Sequence, residues 1–354
     1  MQSPSASPVS RLLRQATKTF SRRPTPLERE QQALEAKDMS SPTQVDEDVG
    51  KAAVVDAEPH TVDDFEEPLD NQERPLIQLR SVGHVSLEGS TGHANEDRFV
   101  IKSNDHFHMF AVMDGHGGDM AANFLVDKLF ATLETVYQSH NGFDHAALTA
   151  AIEDLDRVFL NKARRLHDYS GACLLIVLLY YDAAEECYQE LVLNTGDCRA
   201  IVREAPERRS LSGRKLRDDT SDTTVVALSE DHCAKNRAER IRALEAGAYI
   251  QNGRIAGILE PFRSIGDLDM KSKGMEGWVI PTPEIRQRDL QIGQSTFVLA
   301  TDGVWSVMSS RRAIAIAHQE LTEDGDAQSA AEAIAEEAVE LGSLDDVTVL
   351  VVSV

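Results

Sequence analysis

Residues 107–118 have the sequence FHMFAVMDGHGG, and residues 296–305 have the sequence TFVLATDGVW. Each segment begins with an apolar run that is typical of a buried strand and continues to an aspartate, Asp114 or Asp302, which glycine follows at once. A carboxylate at a strand end is held on a rigid element, and the neighbouring glycine lets a ligand approach the backbone closely. The two segments therefore predict two strands whose ends carry functional carboxylates.

Acidic residues also stand beside two further strand-like runs. Asp97 precedes the run 98–101, and Asp345 precedes the closing run 347–354. If the four strand ends converge, they form a pocket of hard oxygen ligands, which suits Mg²⁺ or Mn²⁺ rather than zinc. Aspartate beside glycine is also ordinary turn chemistry, so any one of these sites alone favours a structural turn. Four such sites, with a histidine in the first loop, favour a metal centre.

The residue types at these positions suit phosphoryl transfer. Two divalent ions about 3.5–4 Å apart can activate a water for in-line attack and neutralise charge on the phosphoryl oxygens. Asp114 is the best candidate for a ligand that bridges both ions, and the backbone carbonyl of Gly115 is accessible because its neighbours are small. Asp302 and Asp345 would complete the shell of the second ion.

Two more residues have expected roles at this centre. Asp97, together with Glu96, would lie close by as a direct or water-mediated metal ligand. His116 lies two residues after Asp114 and could protonate the leaving alkoxide, a task that needs a pKa near the working pH. The alternative for His116 is a turn residue that bonds its own backbone, but its position beside the proposed bridging ligand favours the acid.

Other catalytic signatures are missing from the sequence. The loop of a cysteine phosphatase needs arginine six positions after its cysteine, and those positions here hold Leu179, Leu193, Glu204 and Glu239. The chain also has no GxxxxGK[ST] loop, no HExxH and no GxSxG motif. Covalent catalysis and nucleotide hydrolysis therefore lack their usual signatures.

The composition excludes several kinds of partner. The net charge is −23, and residues 75–354 carry 27 basic and 44 acidic residues, so we expect no nucleic-acid ligand. The longest apolar stretch, 172–181, has ten residues, about half a membrane span, so we expect no membrane partner. The four cysteines form no CxxC pair, which favours a reduced intracellular setting. A monomer is expected.

The chain divides into a tail and a globular domain. Residues 1–75 are rich in Ser, Pro and acidic residues and poor in aromatics, which predicts a disordered N-terminal tail before a domain at 76–354. Residues 1–27 carry five basic residues and no acid, with apolar positions at helical spacing. This pattern is typical of a mitochondrial presequence or of a basic disordered tail. The localisation therefore stays open between the cytoplasm or nucleus and the mitochondrial matrix.

Hydrophobic patterning predicts an α+β fold. Strands are predicted near 78–87, 97–101, 107–113, 172–181, 189–194, 199–203, 224–228, 296–300 and 347–353, and helices near 118–137, 145–167, 234–246, 311–321 and 327–341. Strands and helices each come partly in neighbouring pairs, which favours antiparallel sheets with helices packed outside over an alternating parallel fold. The polar segment 203–224 predicts a long exposed hairpin loop.

Eight short motifs occur in an order that is specific to one family. They are Asn95-Glu96-Asp97, Asp114-Gly115-His116-Gly117-Gly118, Ser170-Gly171-Ala172, Asn194-Thr195-Gly196-Asp197-Cys198-Arg199-Ala200, Leu228-Ser229-Glu230-Asp231-His232, Arg263-Ser264-Ile265-Gly266-Asp267, Asp302-Gly303-Val304-Trp305 and Asp345-Asp346. Over about residues 80–354 the chain resembles the PPM (type-2C) metal-dependent protein serine/threonine phosphatases.

The resemblance implies a fold, a cofactor and a substrate. The fold would be a β-sandwich of two mainly antiparallel sheets flanked by helices, in α-β-β-α order. The cofactor would be two Mg²⁺ or Mn²⁺ ions, and the substrate would be phosphoserine or phosphothreonine in a phosphoprotein. The resemblance supports the roles given above to Asp114, Gly115, Asp302, Asp345 and His116. Another position, Asp197, matches one that the family associates with a third, weaker ion.

Two departures from the family pattern affect the expected site. Many members place a phosphate-gripping arginine five residues before the position of Asp97, where this chain has Gly92. Phosphate would then rely on the metals or on another cation, such as Arg98 or Arg263. Ser306 stands where an aspartate is common, which weakens the expected third metal site.

Two alternative functions remain open at this point. A pseudophosphatase would keep the fold as a binding or regulatory module without turnover, as Gly92 and Ser306 suggest. Four retained residues oppose that alternative: Asp114, His116, Asp302 and Asp345. A metal hydrolase that acts on small phosphate esters is the second alternative.

Overall fold

The computed structural model of this chain describes residues 76–204, 224–293, 295–322 and 325–354. The predicted tail 1–75 and the possible presequence within it lie outside these residues, so the predicted domain boundary stays a prediction. The same holds for residues 205–223, which form most of the predicted hairpin loop.

The fold is built from two antiparallel sheets with helices outside them. In chain order the strands of the described residues are β1 Ser81–Leu87, β2 Arg98–Ser103, β3 Phe107–His116, β4 Gly171–Asp182, β5 Cys187–Thr195, β6 Arg199–Glu204, β7 Thr224–Ala227, β8 Ile250–Gln251, β9 Arg254–Ile255, β10 Ile265–Gly266, β11 Glu284–Asp289, β12 Thr296–Ala300 and β13 Val347–Ser353. The first sheet has the order β1-β13-β12-β6-β7, and the second has the order β11-β5-β4-β3-β2 with β10 beside the end of β4. β8 and β9 form a separate small hairpin.

Helices cover the outer faces of both sheets. They are α1 Met120–His140, α2 His145–Leu166, α3 Arg237–Glu245, α4 Asp302–Trp305, α5 Ser310–Thr322 and α6 Ala327–Glu340. α1 and α2 pack together, and α1 lies against β2, β3 and β4 of the second sheet. α5 and α6 pack together, and α6 lies against β1 and β13 of the first sheet. The result is the predicted α-β-β-α sandwich, and the fold class is confirmed. No helix in the described ranges is both long and apolar enough to cross a membrane.

The alternation of side chains along β4 explains its continuous apolar sequence. Leu175 and Val177 point between the two sheets, where they join a cluster with Phe297 of β12. Leu174 and Ile176 point to the opposite face and join the cluster beneath α1 and α2. Because a central strand is covered on both faces, each of its positions is apolar rather than every second one.

The nine predicted strands and five predicted helices are all present, with ends that shift by a few residues. Sequence patterning missed β11 because its sequence, EIRQRD, has no apolar alternation. Among the described residues β11 pairs only with β5, which makes it an edge strand with half-buried side chains. Arg286 and Arg288 on this strand form ion pairs with glutamates, which is a common way to protect a sheet edge.

Candidate active site

One pocket, with a volume of about 610 Å³, collects five of the six residues that the sequence nominated. Asp114, Gly115 and His116 come from the end of β3, Asp302 follows β12, and Asp345 precedes β13. These residues meet because β3 of the second sheet packs against β12 and β13 of the first. The strand ends that carry these residues therefore lie at the same end of the sandwich.

The sixth nominated residue, Asp97, lies outside the lining of this pocket. Its side chain is 4% exposed and accepts a hydrogen bond from Thr301 Oγ1 at 2.9 Å. Burial raises the pKa of Asp97 to about 7, while hydrogen bonds from the hydroxyls of Thr348 and Thr301 oppose the shift. Asp97 thus connects the loop before β2 to the end of β12, and the adjacent Glu96 is the residue that lines the pocket.

Backbone contacts hold these loops in place. The carboxylate of Asp346 accepts hydrogen bonds from the backbone N–H groups of Gly89 and Glu96, both at 2.7 Å. Glycine is required at 115 and 303, because a Cβ at either position would collide with a backbone carbonyl oxygen, that of Glu96 or that of Asp346. The glycines that follow Asp114 and Asp302 therefore serve close packing between the strand ends.

The carboxylates of the pocket repel one another. Burial raises the pKa of Asp114 well above its ordinary value, and the charge of Asp302 raises it further. Burial also raises the pKa of Asp302 well above its ordinary value, with the charge of Asp197 adding to the shift. Among the described residues, no side chain donates a hydrogen bond to the carboxylate of Asp114 or Asp302. Partly buried carboxylates that line a pocket, lack donors and raise each other's pKa suit a hard divalent cation.

The described part of the chain contains no group of three or more His, Cys, Asp or Glu side chains arranged to hold a metal ion. The carboxylates of the pocket thus match a divalent ion in their chemistry and in lining one pocket, but their side chains do not form a ready coordination shell.

His116 has a partner that sequence reasoning did not assign to the site. Its Nε2 atom lies 2.9 and 3.0 Å from the two carboxylate oxygens of Asp267, which also accepts a hydrogen bond from Ser264. Burial lowers the pKa of His116, but the charge and hydrogen bond of Asp267 outweigh burial, so the net shift is upward. A Cβ at Gly171 would collide with both His116 and Asp267. Gly171 of the Ser-Gly-Ala motif therefore makes room for this pair. Because Nε2 of His116 is bonded to Asp267, Nδ1 is the ring nitrogen that remains available to a ligand in the pocket.

The two arginines that the sequence offered in place of the missing one are engaged elsewhere. Arg98 donates to the carbonyls of Asn95 and Asp97 and to the carboxylate of Asp119. Arg263 donates to Glu239 and to the carbonyl of Thr282. Neither residue lines the pocket, whereas Arg254 does.

The fold and the site together define an α-β-β-α sandwich protein with a carboxylate-lined pocket where its strand ends meet. A family model described as "Protein phosphatase 2C" matches residues 78–347, and the chain belongs to this family. The chain is 30% identical over 288 residues to "Probable protein phosphatase 2C 2" of Oryza sativa subsp. japonica, with 76% of this chain and 66% of that protein covered. It is 30% identical over 291 residues to "Protein phosphatase 1L" of Bos taurus, with 78% of this chain and 73% of that protein covered.

Solved structures share the fold. A Toxoplasma gondii phosphatase has a TM-score of 0.64 at 20% identity, with 77% of this chain and 94% of that chain covered. A structure described as that of "a C.elegans sex determining protein" has a TM-score of 0.60 at 23% identity, with 77% of this chain and 64% of that chain covered. The chain spans about two thirds of the length of the rice protein and of "Probable protein phosphatase 2C 13" of Arabidopsis thaliana, 66% in each case.

Proposed function

We propose that this protein is a metal-dependent phosphatase that hydrolyses phosphoserine and phosphothreonine in phosphoproteins. The observation that carries the proposal is the convergence of Asp114, Asp302 and Asp345, from three separate strand ends, in one pocket with His116. Membership of the protein phosphatase 2C family supports the same conclusion.

The metal ligands would be Asp114, the backbone carbonyl of Gly115, Asp302 and Asp345. Two Mg²⁺ or Mn²⁺ ions held there would supply Lewis acidity and a water that is nucleophilic near neutral pH. Asp197 lines the same pocket and would contribute to a weaker third site. The mutual repulsion and the missing donors around Asp114 and Asp302 support this assignment, because a cation relieves both.

The chain's own residues would handle the leaving group. The alkoxide of serine or threonine is a poor leaving group, so it needs a proton as the phosphorus–oxygen bond breaks. His116 would hold that proton on Nδ1, because Nε2 is bonded to Asp267. Asp267 would keep the imidazole in one orientation and keep its pKa raised.

The mouth of the pocket suits a protein substrate. Tyr169 and Ile258 line the pocket and are 54% and 66% exposed. Large apolar side chains in this position can contact the residues that flank a phosphorylated serine or threonine. This feature favours phosphoproteins over small phosphate esters as substrates.

The test uses the full chain and titrates Mn²⁺ against several substrates. We expect Mn²⁺-stimulated release of phosphate from phosphoserine and phosphothreonine peptides, in preference to sugar and nucleotide phosphates. Asp302→Asn should abolish that release while the fold survives, and Asp154→Asn, at an exposed carboxylate paired with Arg157, should leave it unchanged. A folded wild-type chain without Mn²⁺-stimulated release would instead be a binding module, an alternative that the comparisons do not support.

A further inference from the structure

Few groups in the pocket can bind a phosphate dianion directly. The basic residues that line it, among those the structure describes, are His93, His116 and Arg254. Both ring nitrogens of His93 are hydrogen-bonded within its own loop, one to Thr91 Oγ1 at 2.6 Å and one to the carbonyl of Ala94 at 3.0 Å. His116 is bonded to Asp267. Arg254 therefore remains as the positively charged group with a geometry that matches phosphate.

Arg254 rests on a rigid base. It lies on β9, and the next residue, Ile255, is fully buried in a small cluster with Leu259 and Phe262. Backbone hydrogen bonds between Ile255 and Leu259, in both directions, close the turn. The guanidinium group thus projects from a fixed loop at the edge of the pocket.

Arg254 can exchange its present hydrogen-bond partners for a ligand at a small cost in free energy. Its Nη1 donates to the carbonyl of Ile258 at 3.0 Å, and its Nη2 donates to Glu260 Oε2 at 2.6 Å. The side chains of Arg254 and Glu260 are 46% and 44% exposed, and an ion pair with this exposure contributes little to stability. Arg263 differs, because its partner Glu239 is buried, so releasing that arginine would leave a buried charge unpaired.

The position that the missing arginine would occupy is empty of side chains. Gly92 has a φ of 91°, and a Cβ built there meets no atom of the described residues within 4 Å. The loop before β2 therefore offers no cation from that position, whereas the β8–β9 hairpin offers Arg254.

We propose that Arg254 is the phosphate-binding arginine of this pocket and that Glu260 is its exchangeable counter-ion. Glu260 holds the guanidinium group while the pocket lacks phosphate and releases it when the more highly charged phosphate enters. This assignment rests on the proposed function, because it requires phosphate to occupy the same pocket.

The experiment measures the affinity of inorganic phosphate for the Mn²⁺-loaded full chain by isothermal titration calorimetry. The variants are Arg254→Ala, Arg254→Lys and Glu260→Gln. The matched control is Arg312→Ala, because Arg312 is also an exposed arginine paired with a glutamate but lies on α5, outside the pocket. Mn²⁺ affinity and thermal unfolding are measured for each variant, so that loss of metal or of the fold is recognised.

We expect Arg254→Ala to weaken phosphate binding by about tenfold or more, since a hydrogen-bonded charge is lost. Arg254→Lys should recover part of the affinity, because lysine keeps the charge but not the forked donor geometry. Glu260→Gln should tighten phosphate binding, because the competing carboxylate is gone. Mn²⁺ affinity should change in none of these variants.

Three results would overturn the assignment. Phosphate affinity in Arg254→Ala equal to that of Arg312→Ala would remove the role of Arg254. Unchanged phosphate affinity in Glu260→Gln would remove the counter-ion, and weaker binding of both Mn²⁺ and phosphate would make Glu260 a metal ligand instead. Binding needs no turnover, so a wild-type chain that binds phosphate through Arg254 but hydrolyses no phosphopeptide would refute the proposed function alone.

Discussion

Replacing Asp267 with asparagine tests whether His116 acts as the acid. The change keeps the shape of the side chain but removes the charge that faces His116 Nε2 at 2.9 Å. Hydrogen bonds to charged groups contribute about 1.5–3 kcal/mol, which corresponds to a loss of about 10- to 150-fold in a step that depends on the bond. Both side chains are largely buried, at 27% and 5% exposed, so solvent screens the pair only in part.

The expected loss depends on the leaving group and on pH. Without the carboxylate the pKa of His116 falls, because burial lowers it and Asp267 no longer opposes burial. The protonated acid is then lost at lower pH, so the deficit on phosphopeptides should grow as pH rises. Turnover of p-nitrophenyl phosphate should fall much less, because its phenolate leaves with little help from a proton.

The assay compares kcat for a phosphothreonine peptide and for p-nitrophenyl phosphate between about pH 6 and pH 9, a range that brackets the ordinary histidine pKa. Asp269→Asn is the matched control, because Asp269 also lines the pocket but makes no hydrogen bond to His116. Equal losses on both substrates at every pH would refute the role of the pair in proton donation.

Three further expectations concern stability, packing and localisation. In metal-free protein, burial raises the pKa of Asp197 to about 6. The stability that the folded chain gains from the protonated carboxyl is therefore fully present below about pH 4 and is lost as pH rises through 6. Asp197→Asn should therefore stabilise the EDTA-treated chain more at pH 7.5 than at pH 5 in thermal unfolding, and an equal effect at both would contradict this. Gly171→Ala should destabilise the chain by about 1–3 kcal/mol through overpacking and lower phosphopeptide turnover by displacing His116, and wild-type turnover in that variant would show that the site tolerates the added methyl group. We also propose that residues 1–30 decide between mitochondrial and cytoplasmic or nuclear localisation; fused to a fluorescent reporter, they should direct it to mitochondria if they form a presequence, and a diffuse signal would favour the basic tail.

Elements with a local pattern were predictable from sequence. The apolar run of β4 and the alternating faces of α2 carry their own periodicity, so their type and approximate limits follow from the residues alone. β11 was missed because an edge strand can be charged on both faces. The short β8–β9 hairpin was missed because two-residue strands carry no periodicity.

The residues of the candidate site can likewise be divided into those that local sequence predicts and those whose contacts only the fold shows. Asp114, Asp302 and Asp345 could be nominated because each stands beside a strand, a feature that is local in sequence. The commitment of Arg98 and Arg263 to other partners could not be foreseen, because it depends on residues from other elements.

The amino-acid sequence by itself determined which segments become strands and helices, where carboxylates stand at their ends, and which family motifs follow one another. Only the tertiary structure decided that Asp267, 151 residues from His116, is its hydrogen-bond partner, and that Arg254 rather than Arg98 or Arg263 faces the pocket. The reason is physical: periodicity is encoded by neighbouring residues, whereas burial and side-chain pairing arise only when two sheets stack and bring distant loops together.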